Sequence, residues 1–136
     1  MRTLRCHSWG PPEALRLDDV PAPEVGPGQL RIAVHHCGLN FPDTLIVQGL
    51  YQFKPPFPFA PGGEVAGVVA AVGAGVTRFA PGDRVFGLTG WGGMAEQVVL
   101  GEDAAMAVPD GLALDVAAAF TMAYGPTMHA LADRAR

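Results

Sequence analysis

The chain has 136 residues, of which 49 % are hydrophobic and 16 % are charged, with a net charge of -4 at pH 7. A chain this apolar has enough surface to bury a core, which excludes intrinsic disorder. The absence of any Lys or Arg run argues against a nucleic-acid partner, and no apolar stretch is suited to span a membrane.

Eighteen glycines and thirteen prolines without a collagen period predict short strands joined by turns. The first strand is predicted over residues 30–37, because apolar side chains alternate there and place Leu30, Ile32 and Val34 on one face. A short helix is then predicted over residues 42–48, preceded by Asn40 or Phe41, with Pro at its first position and Gly at its end.

Further strands are predicted over residues 64–72, 83–88, 95–100 and 106–108. Gly67, inside the first of them, permits a close approach of two backbones. The alanine-rich segment that follows predicts a helix with Asp115 as its N-cap, interrupted at Gly125-Pro126 and resumed up to residue 134. Strands spaced about 10 residues apart predict a sandwich or a small barrel, followed by a helical segment.

The turn Gly73-Ala74-Gly75 follows a strand, as a dinucleotide-binding turn does. Arg78 stands where that motif requires a third glycine, and the prolines and glycines after it cannot form the helix that holds the pyrophosphate. We therefore interpret these residues as a simple turn.

Two groups of polar side chains admit both a functional and a structural interpretation. His35 and Cys37 face the same way on a strand, but two ligands do not complete a metal site. Asp43 and Glu64 are either an acid–base pair or structural groups, with Asp43 as a local cap and Glu64 as a buried acceptor of backbone N–H groups. The structural interpretation is favoured for both groups.

The aromatic side chains Tyr51, Phe53, Phe57 and Phe59 either line a pocket for a planar ligand or fill a small core. Trp91 lies between glycines on a turn, where an exposed aromatic ring favours contact with a ligand or a partner. The two cysteines are too few for a disulfide scaffold, and no signal peptide begins the chain, so a cytoplasmic location is predicted.

Several motifs share one order with a known family: Asn40-Phe41-Pro42-Asp43, Pro61-Gly62-Gly63-Glu64, and the stretches 82–86, 92–96 and 117–131. In this order they resemble the N-terminal, GroES-like catalytic domain of the medium-chain dehydrogenase/reductase superfamily. Within it, the chain resembles the zinc-free NADPH:quinone oxidoreductase (zeta-crystallin-like) branch.

The resemblance implies a mainly β fold, a GroES-like, partly open β-barrel with short helices that ends in an α-helical segment. Residues 1–114 would form the β domain, and residues 115–136 would lead toward a Rossmann domain that the sequence does not contain. Because the pyrophosphate would bind there, residues 1–136 alone are expected to bind NADPH negligibly and to show no turnover.

The resemblance also implies the chemistry. Zinc alcohol dehydrogenases have a Cys at the position of Asn40 and a His at that of Gly63, so no metal ligand is expected here. Hydride would pass from NADPH to a quinone or a conjugated carbonyl. Asn40 and Thr127 would bind the nicotinamide, and the substrate would lie against Tyr51, Phe41 and Trp91.

No side chain is assigned as a catalytic acid, because Leu45 stands where some members of this branch have Tyr; solvent would supply the proton. A homodimer is expected for the full-length protein, with no nucleic-acid or membrane partner. Two alternatives stay open: a reductase of enones or enoyl thioesters in the same superfamily, and a non-catalytic GroES-like binding domain.

Overall fold

The computed structural model describes residues 1–135. Within this range the strands are β1 (Arg2–Arg5), β2 (Arg16–Asp19), β3 (Gln29–Gly38), β4 (Glu64–Val72), β5 (Arg84–Leu88), β6 (Gln97–Gly101) and β7 (Ala105–Ala107). The helices are α1 (Phe41–Val47), α2 (Leu114–Ala118) and α3 (Thr121–Met128), which runs on into a π-helical turn over His129–Arg134.

Five strands form one antiparallel sheet in the order β6-β3-β4-β5-β7. The outer strands β6 and β7 are joined by only three residues, the 3₁₀ turn Glu102–Ala104, so the two edges of the sheet must curl toward each other. The sheet is therefore a partly open barrel, which confirms the mainly β fold expected from the sequence. β1 and β2 form a separate two-stranded sheet.

The barrel interior is filled by apolar side chains from all five strands: Leu30, Ile32, Val65, Val69, Val85, Val98, Leu100 and Ala105. Gly67 of β4 allows β3 to pass close by, since a Cβ at this position would lie 2.0 Å from the carbonyl oxygen of Ala33. The predicted close approach of two backbones is thereby confirmed.

α2 covers one end of the sheet. Its Ala117 and Ala118 are buried in a second cluster with Ala66, Phe86 and Val108. Gly38 at the end of β3 makes this contact possible, because a Cβ there would lie 2.3 Å from the carbonyl oxygen of Ala118.

The predicted helical segment needs two corrections. Asp115 lies inside α2, whose N-cap is Ala113, and α3 continues without interruption through Pro126. A proline in the second turn of a helix removes one hydrogen bond, here to Met122, and α3 tolerates this loss. The break between the two helices comes earlier in the chain, at Ala119.

The strands β1 and β2 were not predicted, whereas the other five lie within two residues of their predicted bounds. Among residues 1–135, no helix combines the length and the apolar character required to cross a membrane.

Candidate functional site

The turn between β3 and α1 is held by the carboxylate of Asp43, which is only 4 % exposed. Its Oδ2 accepts the backbone N–H of Asn40 at 2.9 Å, and its Oδ1 accepts the backbone N–H of Gly62 at 3.0 Å. An acidic side chain at the third helical position commonly reaches back in this way to a donor that the helix leaves free. Asp43 thus fixes Asn40 against the segment before β4, which confirms its predicted capping role.

A second buried carboxylate, that of Glu64, is also bonded to Asn40. Its Oε2 accepts a hydrogen bond from Nδ2 of Asn40 at 3.3 Å. Its Oε1 accepts the backbone N–H groups of Thr121 and, at 3.1 Å, of Met122. These are the first residues of α3, where N–H groups have no partner inside the helix. Glu64 is therefore the buried acceptor that was predicted.

The alternative, an acid–base pair, is disfavoured by these bonds. Each of the four oxygen atoms of Asp43 and Glu64 already accepts at least one N–H group. Oxygen atoms that are already engaged with backbone and amide N–H groups are not placed to exchange a proton with a ligand in the cavity.

A cavity of about 240 Å³ opens beside the Asn40 side chain. Its walls are mostly carbon, with polar groups contributed by a few side chains; it is lined by Asn40, Pro42, Asp43, Ile46, Tyr51, Gln52, Phe53, Gly63, Leu88, Gly90 and Met122. Sites that enclose a whole ligand usually measure about 300–1,000 Å³. This cavity is suited to one ring-sized group with a polar substituent.

The structure brings together only some of the predicted site residues. Asn40 and Tyr51 line this cavity. Phe41 begins α1 with 74 % of its surface exposed and is not in the lining. Trp91 lines a separate open groove of about 530 Å³, and the hydroxyl of Thr127 donates to the Ala123 carbonyl within α3. The roles of all five residues stay predictions.

Of the aromatic side chains, Phe59 fills a core and Tyr51 and Phe53 line the cavity, while the binding of a planar ligand there stays a prediction. Phe59 is buried in a third apolar cluster with Cys6, Ile46 and Val47. Tyr51 packs against that cluster and also faces the cavity, where its ring meets Phe53 edge-on with the centroids 5.4 Å apart. The cavity wall is therefore anchored in the core.

The side chains around Asn40 do not form a metal-binding set. Gly63, which offers no side-chain ligand, lines the same cavity as Asn40. Within residues 1–135, no group of three or more His, Cys, Asp or Glu side chains is arranged to hold a metal ion. His35 and His36 are exposed on the strand.

Cys37 lies near the end of β3, beside the segment that precedes β4. Its sulfur is 2.6 Å from the position that a Cβ on Gly62 would take. Burial, together with the negative charges of Asp43 and Glu64, raises the pKa of the Cys37 thiol to about 11. The thiol is therefore protonated near neutral pH, a state that is neither a strong nucleophile nor a good metal ligand.

Sequence reasoning assigned Thr127 near the end of α3 to the site but missed the first turn of this helix. Met122 lines the cavity, and the first turn of α3 is bonded to Glu64. No local pattern marks a contact between residues 58 positions apart. The signal that was available is a Glu at the start of an otherwise apolar strand, where a buried charge requires several hydrogen-bond donors.

Comparison with known proteins adds a family to this geometry. The family described as alcohol dehydrogenase GroES-like domain matches residues 26–110. The "Quinone oxidoreductase-like protein 2 homolog" of Nematostella vectensis is 42 % identical over 135 residues, covering 98 % of this chain and 37 % of that protein. The "Quinone oxidoreductase" of Rattus norvegicus is 39 % identical over 138 residues, covering 100 % of this chain and 42 % of that protein.

A solved structure is similar in fold as well. The crystal structure of Escherichia coli quinone oxidoreductase complexed with NADPH superposes with a TM-score of 0.89 at 28 % identity, covering 99 % of this chain and 41 % of that one. The chain thus spans between 37 and 42 % of the length of these three proteins.

Proposed function

The chain belongs to the alcohol dehydrogenase GroES-like domain family of the medium-chain dehydrogenase/reductase superfamily, and we propose that it forms the substrate side of an NADPH-dependent quinone oxidoreductase. The observation that carries this proposal is the cavity beside Asn40, whose walls are mostly carbon and whose polar groups include the Asn40 amide, which donates to the carboxylate of Glu64, while Asp43 accepts the backbone N–H of the same residue. Such a site suits a planar ring that carries an amide or a carbonyl group.

The chemistry of the cavity fits the nicotinamide end of NADPH. The Asn40 side chain offers an amide to the carboxamide of the ring, and the apolar walls offer a surface to its faces. Its volume of about 240 Å³ is too small for a whole dinucleotide. We propose that the pyrophosphate and adenosine bind to a Rossmann domain following residues 115–136.

When bound, NADPH supplies the hydride. In the proposed mechanism, Asn40 would orient the nicotinamide ring in this one-ring cavity, and the walls around Tyr51, Phe53 and Leu88 would exclude water from the place where the acceptor meets it. The proton that completes the hydroquinone after hydride transfer would come from solvent, because none of the cavity side chains is assigned as an acid. Asp43 and Glu64 do not donate a proton, because their oxygens are occupied by N–H groups.

The chain's residues also support a reaction without zinc. Asn40 and Gly63 line the cavity, and neither provides a thiolate, an imidazole or a carboxylate, the usual protein ligands of zinc. The quinone acceptor, the cytoplasmic location and the homodimer stay predictions.

Steady-state assays of the full-length protein test this function. NADPH oxidation is expected with 1,4-benzoquinone at a rate unaffected by a zinc chelator, and it is expected to fall on substitution of Asn40 by Ala. Turnover with an enone or crotonyl thioester but none with the quinone would instead assign a double-bond reductase. No turnover with any acceptor, in a protein that still folds, would assign a binding domain.

A further inference from the structure

One side chain connects the cavity to the helical end of the chain. Glu64 is fully buried and receives three N–H donors, one from Asn40 and two from the start of α3. We propose, on the basis of the proposed function, that Glu64 is a positioning residue. It determines whether the oxygen or the NH₂ of the Asn40 amide faces the cofactor, and it makes this orientation depend on the position of α3.

The orientation of the Asn40 amide follows from the chemistry of its partner. Oε2 of Glu64 accepts the hydrogen bond from Nδ2 of Asn40 at 3.3 Å, so the group of Asn40 that faces Glu64 is its NH₂. The carbonyl Oδ1 is then the atom of the amide that accepts from a ligand. The carboxamide NH₂ of nicotinamide is a donor of the matching kind. If the Asn40 amide turned over, oxygen would face oxygen across the 3.3 Å contact.

The remaining surroundings of Glu64 leave it dependent on these donors. Among residues 1–135, no Lys, Arg or His side chain forms an ion pair with it. A buried carboxyl group without a cationic partner is stable only where hydrogen bonds converge on it. Two of its donors belong to Thr121 and Met122, and Met122 itself lines the cavity. A displacement of α3 would therefore disturb the partner that orients Asn40.

The substitution Glu64→Gln tests this proposal with almost no change in shape. The new amide has one acceptor and one NH₂ group. With its oxygen on the N–H groups of α3, its NH₂ faces the NH₂ of Asn40, so the Asn40 amide must turn over and present a donor to the cofactor. The NADPH dissociation constant of the full-length protein is expected to rise about tenfold.

A second substitution discriminates positioning from a purely structural role. Adding Asn40→Asp to the Glu64→Gln variant places one carboxylate oxygen at position 40 against the NH₂ introduced at position 64. The other oxygen faces the cofactor, and the two positions together still carry one carboxylate. The dissociation constant is expected to return to within about threefold of the wild-type value. If Glu64 only caps α3, Asn40→Asp produces no recovery, and the proposal is overturned.

The 136-residue chain allows a readout that needs no cofactor. Asn40 is the only asparagine in the sequence, so ¹⁵N-asparagine labelling gives a single pair of side-chain NH₂ signals. Glu64→Gln is expected to shift this pair and to speed its exchange with water. Glu102→Gln is the matched control, because Glu102 accepts the N–H groups of Thr77 and Arg78 away from the cavity.

The outcomes separate the two proposals. An Asn40 NH₂ pair that is the same in wild type and Glu64→Gln would overturn the positioning role, whatever the enzyme does. A full-length wild-type protein that binds no NADPH would overturn the proposed function, while the NMR comparison would still decide whether Glu64 orients the amide.

Discussion

The barrel and the helical end of the chain are stabilised in opposite ways. Leu30, Ile32 and Val65 in the barrel have no exposed surface, whereas α3 contains no buried residue. α3 is held at its start by two N–H bonds to Glu64 and by Phe120, whose ring meets Phe86 edge-on at 6.4 Å. The candidate site therefore lies where the well-packed barrel meets the exposed helix α3. The carboxylate of Glu64 belongs to the barrel and accepts hydrogen bonds from the start of α3.

The largest expected effect is in the barrel. Gly67→Val places a branched side chain where even a Cβ would lie 2.0 Å from the Ala33 oxygen, so β3 and β4 must separate. The free energy of unfolding is expected to fall by about 3 kcal/mol, measured by chemical denaturation. Gly101→Ala is the control, since a Cβ at Gly101 meets no atom within 4 Å; it should change stability by less than about 0.5 kcal/mol. Equal effects of the two substitutions would contradict the tight packing of β3 on β4.

A second expected effect concerns the thiol of Cys37, near the end of β3. Because the pKa of Cys37 is raised to about 11, a thiol reagent at pH 8 should label it about 100-fold more slowly in the folded than in the unfolded protein. In a Cys6→Ser variant, which leaves this single thiol, the labelling rate should rise tenfold per pH unit up to about pH 10.

The direction of the pH dependence is fixed by the sign of this shift. The folded state favours the neutral thiol, so the stability that Cys37 contributes is present below its ordinary pKa and is lost as the pH rises toward 11. A labelling rate that levels off near pH 9 would contradict the raised pKa.

The smallest expected effect is in the helical end. Phe120→Ala removes the contacts of this ring with Phe86 and with Tyr124, whose centroid is 5.1 Å away, and should cost about 1 kcal/mol. Leu131→Ala, at a side chain 67 % exposed, should be neutral within about 0.5 kcal/mol. Thermal unfolding of the two variants measures the difference, and a loss for Leu131→Ala as large as that for Phe120→Ala would show that the π-helical turn is packed more firmly than α3.

Local sequence patterns were sufficient to predict the elements whose strand alternation or helix start lies within a few neighbouring residues. The alternation in β3 and the proline in the first turn of α1 are visible within eight residues, and so was the capping role of Asp43. The pairing of β1 with β2 was not visible, because both strands are short and rich in charge and lack an apolar alternation. They pair with each other, from Arg2 opposite Asp19 to Arg5 opposite Arg16.

The helix break was misplaced for a related reason. Proline and glycine predicted it at Gly125-Pro126, but the start of α3 is determined by Glu64, 57 residues before Thr121 in the chain. The same long-range bond brings Met122 into the cavity, so the error in secondary structure and the missing site residue have one cause.

The three-residue connection between β6 and β7 has a consequence for self-association. Unpaired strand edges are the usual template for aggregation, and here the curling of the sheet brings its two edges to one corner. Near the start of β6, the chain also bonds to β1 through the N–H of Glu96 and the carbonyl of Arg2. Self-association of this polypeptide at high concentration should therefore depend less on edge pairing than on exposed aromatic rings, those of Phe41, Phe120 and Tyr124 among them.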